Sequence, residues 1–190
     1  MLKKHIVLFL SAIFLIGAVS AANATTLIDN GSQGYYNSSL GTILDGTSAN
    51  FPGPNVSTGD PTYNNISPAP DLTVADAFLG DWLTNPPVLN SNWAYGTIPG
   101  SWAVNTETAV IYAIDAGTTG LNNVYGSFGV DNGLFIWLDG VYQNGWMASG
   151  GSFQWEYTHD FGSLSAGMHY LQILREDHGG STGFDVLVTG

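Results

Sequence analysis

Cysteine is missing from all 190 residues, which excludes disulfides, thiolate nucleophiles, thiolate-held metals and iron–sulfur clusters. Such a chain is held together by its apolar core alone. Cations are almost as scarce, with three Lys and Arg against fifteen Asp and Glu and a formal net charge of −12. Nucleic acid and anionic lipid surfaces are bound through Lys and Arg that neutralise phosphate, so neither is expected as a partner. The motifs of common enzymes are also lacking: no G-x-S-x-G elbow, no H-E-x-x-H pair, no P-loop and no dinucleotide fingerprint. His159, His169 and His178 are too far apart in sequence for any two to share one helical turn. No internal repeat is present. These absences argue against catalysis and leave a molecule that works by presenting a surface.

What is present begins with an export signal. Lys3 and Lys4 precede an apolar run from Ile6 to Val19, and Ala22-Asn23-Ala24 fits the small-residue cleavage pattern. The run has 14 residues, shorter than the ~20 of a membrane-spanning helix, so residues 1–24 read as a signal peptide rather than an uncleaved anchor. Cleavage after Ala24 leaves Arg175 as the single Lys or Arg against all fifteen acids, a formal −14. The expected location is outside the cytoplasm: extracellular, cell-surface or periplasmic.

Residues 25–190 read as one all-β domain, a two-sheet, jelly-roll-like sandwich with one short helix near 74–83. The stretch from 25 to 70 is rich in Gly, Ser, Thr, Asn and Pro and predicts one or two edge strands among long loops, with Asn50 to Asn55 as loop. Val74, Phe78 and Trp82 recur at four-residue spacing and predict the helix, which Asn85-Pro86-Pro87 ends. Core strands fill 93–190. Glu107 to Asp115 is apolar on both alternating faces, as in a strand covered on both sides. Asp139-Gly140 between two apolar runs is a hairpin signal, since both turn positions need positive φ. Phe153, Trp155 and Tyr157 alternate with polar residues and predict a half-exposed strand.

Three ordered segments carry a family resemblance: Glu107 to Tyr112, Phe128 to Tyr142, and Leu164 to Gly180. Together they resemble exported bacterial proteins of the PEP-CTERM type. More distantly, they are similar to galactose-binding-like jelly rolls and protective-antigen-type lectin domains. PEP-CTERM proteins close with a Pro-Glu-Pro motif, an apolar helix and a basic cluster that direct sorting to the cell surface. This sequence stops at Thr189-Gly190 without them, so it is either truncated or a released member.

The resemblance places Asp131-Asn132 where calcium-dependent lectins carry an Asp-Asp or Asp-Asn pair, which implies calcium as a cofactor, with Asp139, Glu176 and Asp177 as further donors. The other reading of Asp131 and Asn132 is local, as residues that shape a turn. Carbohydrate or exopolysaccharide is the expected partner, because an aromatic ring covers the apolar face of a pyranose while neighbouring amides bond its hydroxyls. Tyr142, Asn144 and Trp146 form the candidate ligand cluster after the hairpin, whereas Trp137 and Trp155 are expected in the core. Arg175 is expected to pair with Glu156 or another acid. The expected function is a secreted, non-catalytic carbohydrate-binding-like module. The alternatives are a matrix building block without a specific ligand and a glycoside hydrolase whose site is not recognisable.

Overall fold

Strand β4 (Glu107–Asp115) explains the architecture, because apolar residues on both of its faces require cover on both sides. The structure, a computed structural model, describes residues 24–53 and 61–190. The signal peptide expected at 1–24 therefore lies, apart from Ala24, outside the described residues, as do Pro54 and Asn55 of the expected loop. Around β4 run β1 (Thr26–Ile28), β2 (Gln33–Gly41), β3 (Ala94–Thr97), β5 (Leu121–Asp131), β6 (Gly133–Leu138), β7 (Val141–Met147), β8 (Tyr157–Leu164), β9 (Met168–Glu176) and β10 (Gly183–Thr189). They form a four-stranded antiparallel sheet in the order β1-β10-β5-β8 and a six-stranded one in the order β3-β2-β4-β9-β6-β7. This is the all-β sandwich that alternation in the sequence predicts.

Two apolar interiors result. Val110, Tyr112 and Ile114 of β4 face the four-stranded sheet and meet Phe128, Val186 and Val188. Ala109 and Ile111 face the other way, onto Leu44, Phe51, Leu79 and Trp82. The described residues between β2 and β3, 42–53 and 61–93, are thus a third layer, folded over the outer face of the six-stranded sheet. Most of its buried side chains come from irregular chain, whose sequence texture reads as loop.

Several expectations are corrected here. Of the one or two edge strands expected in 25–70, β1 lies at the edge of the four-stranded sheet, whereas β2 is interior, between β3 and β4, and β3 takes that edge. The helix is shorter than expected: a 3₁₀ turn at Thr73–Ala75 runs into α1 (Asp76–Leu79), which Gly80 ends at φ 63°. Ala75 and Leu79 are its buried residues, while Val74 is half exposed and Trp82 packs inward beyond the helix. Four-residue spacing selected the wrong face because the helix stops before Trp82. Phe153 and Trp155 are not in a strand, since β8 begins only at Tyr157.

Arg175 makes no carboxylate pair among the described residues. Its fully buried guanidinium lies over the rings of Trp102 (4.5 Å), Phe184 (4.7 Å) and Tyr36 (5.4 Å), between the sheets. It also donates to Thr108 Oγ1 (3.1 Å) and the Pro99 carbonyl (2.9 Å). Burial lowers its pKa to about 10, which leaves it charged at neutral pH. Aromatic faces carry partial negative charge and hold the cation where no carboxylate does.

The β6–β7 hairpin turns on Asp139 (φ 52°) and Gly140 (φ 78°), as Asp-Gly predicts. A Cβ at Gly140 would lie 1.8 Å from the Leu83 carbonyl oxygen, so the outer layer packs directly on this turn. Gly140→Ala is therefore expected to destabilise the protein by about 2–3 kcal/mol, through positive-φ strain and displacement of Leu83. Urea unfolding monitored by tryptophan fluorescence measures it; a loss below about 0.5 kcal/mol would show that the layer does not rest on the turn.

Candidate functional site

At one end of the sandwich, β5 stops at Asp131, β6 starts at Gly133, β7 stops at Met147, β9 stops at Glu176 and β10 starts at Gly183. The connections leaving these strands meet around Asp131-Asn132, which are joined by a cis peptide bond. Asn132 ties three of them together. Its N–H donates to the Glu176 carbonyl (2.8 Å), its carbonyl accepts from Ala148 N–H (3.2 Å), and its Oδ1 accepts from His178 N–H (2.8 Å). Asp131 Oδ1 accepts from Asn132 Nδ2 (2.9 Å), and its Oδ2 accepts from the Ser181 hydroxyl (3.2 Å). Asp131 and Asn132 are buried, so the pair serves as a hub rather than an exposed turn.

Asp177 joins them from the β9–β10 loop. Its Oδ2 accepts from the backbone N–H groups of Asn105 and Gly179. Its Oδ1, and Oδ1 of Asn105, are buried without a hydrogen-bond partner among the described residues. Burial and the nearby charge of Asp131 push the Asp177 carboxyl up to about 6, against the opposing effect of those N–H donors. Glu156 lies close by: its Oε1 accepts from Val130 N–H (3.0 Å), and burial raises its pKa, with the Asp131 charge adding to the rise.

Calcium takes about six to eight oxygen ligands, commonly carboxylates, amide or peptide carbonyls and water. The donors gathered here are of that kind, and the two orphaned oxygens of Asp177 and Asn105 are the observation that a hard cation fits. Asp131, Asn132, Asp177 and Asn105 would hold it, and it would supply positive charge to offset the facing carboxylates. Among the described residues no group of three or more His, Cys, Asp or Glu side chains is drawn together as a metal-binding set, so amide and hydroxyl oxygens would have to complete the shell. Asp139 is not part of this set. It sits at the opposite end of β6, where its carboxylate holds His169 Nδ1 at 2.6 Å. Glu176 also turns away, with its Oε1 3.0 Å from His178 Nε2.

The candidate ligand cluster does not converge. A bulge against Ile136/Trp137 inserts Gln143, so Tyr142 and Trp146 point to opposite faces of β7. Trp146 is 6% exposed, between the sheets, and stacks on Tyr157 at 5.7 Å between centroids. Its ring is inaccessible to a sugar. Tyr142 packs on Trp137 and donates its hydroxyl to the Ile66 carbonyl (2.9 Å), so it anchors the outer layer. Asn144 is half-buried, and its Oδ1 has no partner among the described residues.

Sequence reasoning missed the aromatics that the site does offer. Phe153 is 65% and Trp155 37% exposed, both on the loop from Ala148 to Glu156 that abuts Asp131 and Asn132. The loop is fastened by Glu156 to Val130, by Ala148 to Asn132, and by close packing of Ser152 against Gly183. Trp155 has φ 64°, which breaks the alternation that suggested a strand. The signal available was Gly150-Gly151 immediately upstream, a mark of loop rather than strand.

Beneath the outer layer, Glu107 is buried beside Asp45 and Glu176. Burial, then hydrogen bonding to Asp45 and the charges of Asp45 and Glu176, push its carboxyl up to about 9. Glu107 and Glu176 are buried, and Asp45 is partly exposed.

No protein-family model matches the chain, and no curated protein does. The expected PEP-CTERM assignment finds no support in these comparisons. Among solved structures, the chain is similar to the PA14 domain of the antifreeze protein MpAFP, with 16% identity over 88% of this chain and 85% of that one, and a TM-score of 0.29.

Two outcomes follow. Trp146→Ala is expected to cost about 3–5 kcal/mol of stability, whereas Trp155→Ala stays within about 0.5 kcal/mol, by chemical denaturation. Equal losses would contradict the placement of the two rings. The Glu107 carboxyl is ordinarily near 4.5 and about 9 in the fold, so the native state binds the extra proton between those values. Stability therefore falls as pH rises from about 4.5 to about 9, and Glu107→Gln is expected to flatten that fall in melting temperature.

Proposed function

We propose that this chain is a secreted, non-catalytic carbohydrate-binding module whose ligand sits at the loop end of the sandwich, with calcium held by Asp131, Asn132, Asp177 and Asn105. The observation that carries this reading is the exposed Phe153–Trp155 pair beside a buried oxygen set with two unpartnered donors. An aromatic surface for the apolar face of a sugar and fixed oxygen donors for a cation and hydroxyls stand side by side there. Tyr142 and Trp146 have no part in it. The acidic composition favours neutral glycans, since it repels anionic ones. Export rests on the signal-peptide pattern of the first residues, and N-terminal sequencing of the secreted product, expected to start at Thr25, tests it.

A second reading, an acidic matrix building block with no specific ligand, is favoured by the inward placement of Trp146 and the structural bond of Tyr142. One experiment separates the two. Glycan-array binding is expected in calcium, lost in chelator, and weakened about tenfold or more by Trp155→Ala and by Asp177→Asn. Calcium alone is expected to raise the melting temperature of the wild type and not of Asp177→Asn. An array that stays blank, together with a melting temperature indifferent to calcium, favours the building block.

A further inference from the structure

A row of tyrosines crosses the outer face of the six-stranded sheet, away from the loop-end site. Tyr95 of β3 pairs directly with Tyr35 of β2, ring centroids 5.1 Å apart and edge to face. Tyr35 lies opposite Ile111 of β4, and Tyr170 of β9 lies opposite Ala113. Three strand spacings separate Tyr95 from Tyr170, about 14 Å across the sheet. Ala113 is exposed between them, so the floor of the row is low where its ends are aromatic. Pro86, Pro87 and Leu89 of the outer layer form one wall, and with Tyr35 and Tyr170 they enclose a groove of about 250 Å³. Tyr170 is six residues along β9 from Glu176, about 20 Å from the loop end at the rise of a strand.

The chemistry of this groove is uncharged and two-sided. Tyr35 is 37% and Tyr95 64% exposed. Among the described residues, no protein hydrogen bond engages the phenol hydroxyls of Tyr35, Tyr95 or Tyr170. A ligand with an apolar face and a hydroxyl-bearing edge satisfies both the rings and those hydroxyls, whereas a purely apolar one leaves the hydroxyls unmatched. A second copy of the chain is disfavoured by the like charge it brings, fifteen acids against a single buried Arg175 after residue 24. A polyanion is disfavoured for the same reason.

We infer that the groove between Tyr35 and Tyr170, flanked by Tyr95 on the edge strand, is a second carbohydrate subsite, independent of any cation, that holds pyranose rings of a neutral polysaccharide. It takes only its ligand class from the proposed function and stands on separate residues. Two subsites on one domain let a single polymer chain long enough to reach both engage them together, which raises avidity without new contacts.

Affinity electrophoresis tests it, with hydroxyethylcellulose, xyloglucan, galactomannan and dextran cast in the gel and EDTA present throughout. The wild type is expected to be retarded by at least one of the four. Tyr95→Ala, on an exposed edge strand, is expected to weaken that retardation about tenfold, and Tyr125→Ala, an exposed tyrosine of the four-stranded sheet, to leave it unchanged. Circular dichroism confirms that each variant is folded; if Tyr95→Ala is not, Tyr95→Ser takes its place. Retardation by none of the four polymers, or equal retardation of wild type and the Tyr95 variant, overturns the subsite. So does a wild-type dimer in sedimentation equilibrium that the Tyr95 variant dissociates, because a second copy would then fill the groove. Loss of EDTA-resistant binding alone counts against this groove, and loss of calcium-dependent binding alone counts against the loop end.

Discussion

The constraint on which the molecule depends is the double coverage of its six-stranded sheet. β4 and β9 carry apolar side chains on both faces, and without disulfides only burial stabilises them. The four-stranded sheet covers one face. The other is covered by chain of little regular structure, which contributes Leu44, Phe51, Leu79 and Trp82. The layer is pinned at its margins by backbone bonds between Tyr63 and Met147 and between Ile66 and Gly145, and by the hydroxyl of Tyr142. Where it ends, at Pro86, Pro87 and Leu89, the sheet is left uncovered and the tyrosine row is exposed.

The same coverage decides where chemistry is accessible. Inward-facing polar groups are locked in place: Gln172 against the Trp82 carbonyl, Asn37 against the Phe78 carbonyl, and Glu107 beside Asp45. Strands end together at Asp131, Gly133, Met147, Glu176 and Gly183, and the connections leaving them meet around Asp131 and Asn132.

Alternation made most of the strand pattern legible in advance. It showed β4 covered on both sides, the Asp139-Gly140 hairpin and the all-β class. It failed where one residue changed the parity. The bulge at Gln143 sent Tyr142 and Trp146 to opposite faces, and the positive φ of Trp155 ended a strand before it began. The outer layer was illegible for a different reason: its apolar residues follow neither the period of a helix nor that of a strand, so no pattern reports their burial. Of the candidate site, Asp131, Asn132 and Asp177 are proposed from sequence, the first two through a resemblance and the third through a local cluster of acids, and the fold brings them near one another. Asn105 could not be, since its link to Asp177 joins residues 72 apart in sequence, brought together only by the pairing of β4 with β9, and leaves no local trace.

Arg175 has a consequence beyond packing. Past residue 24 the chain holds no other Lys or Arg, and this one is enclosed by three aromatic rings. Proteases that cleave after basic residues therefore find no bond to cut while the fold persists, and amine-directed reagents find no lysine. For such proteases, cleavage past residue 24 is set by how often the sandwich opens rather than by how often they meet it.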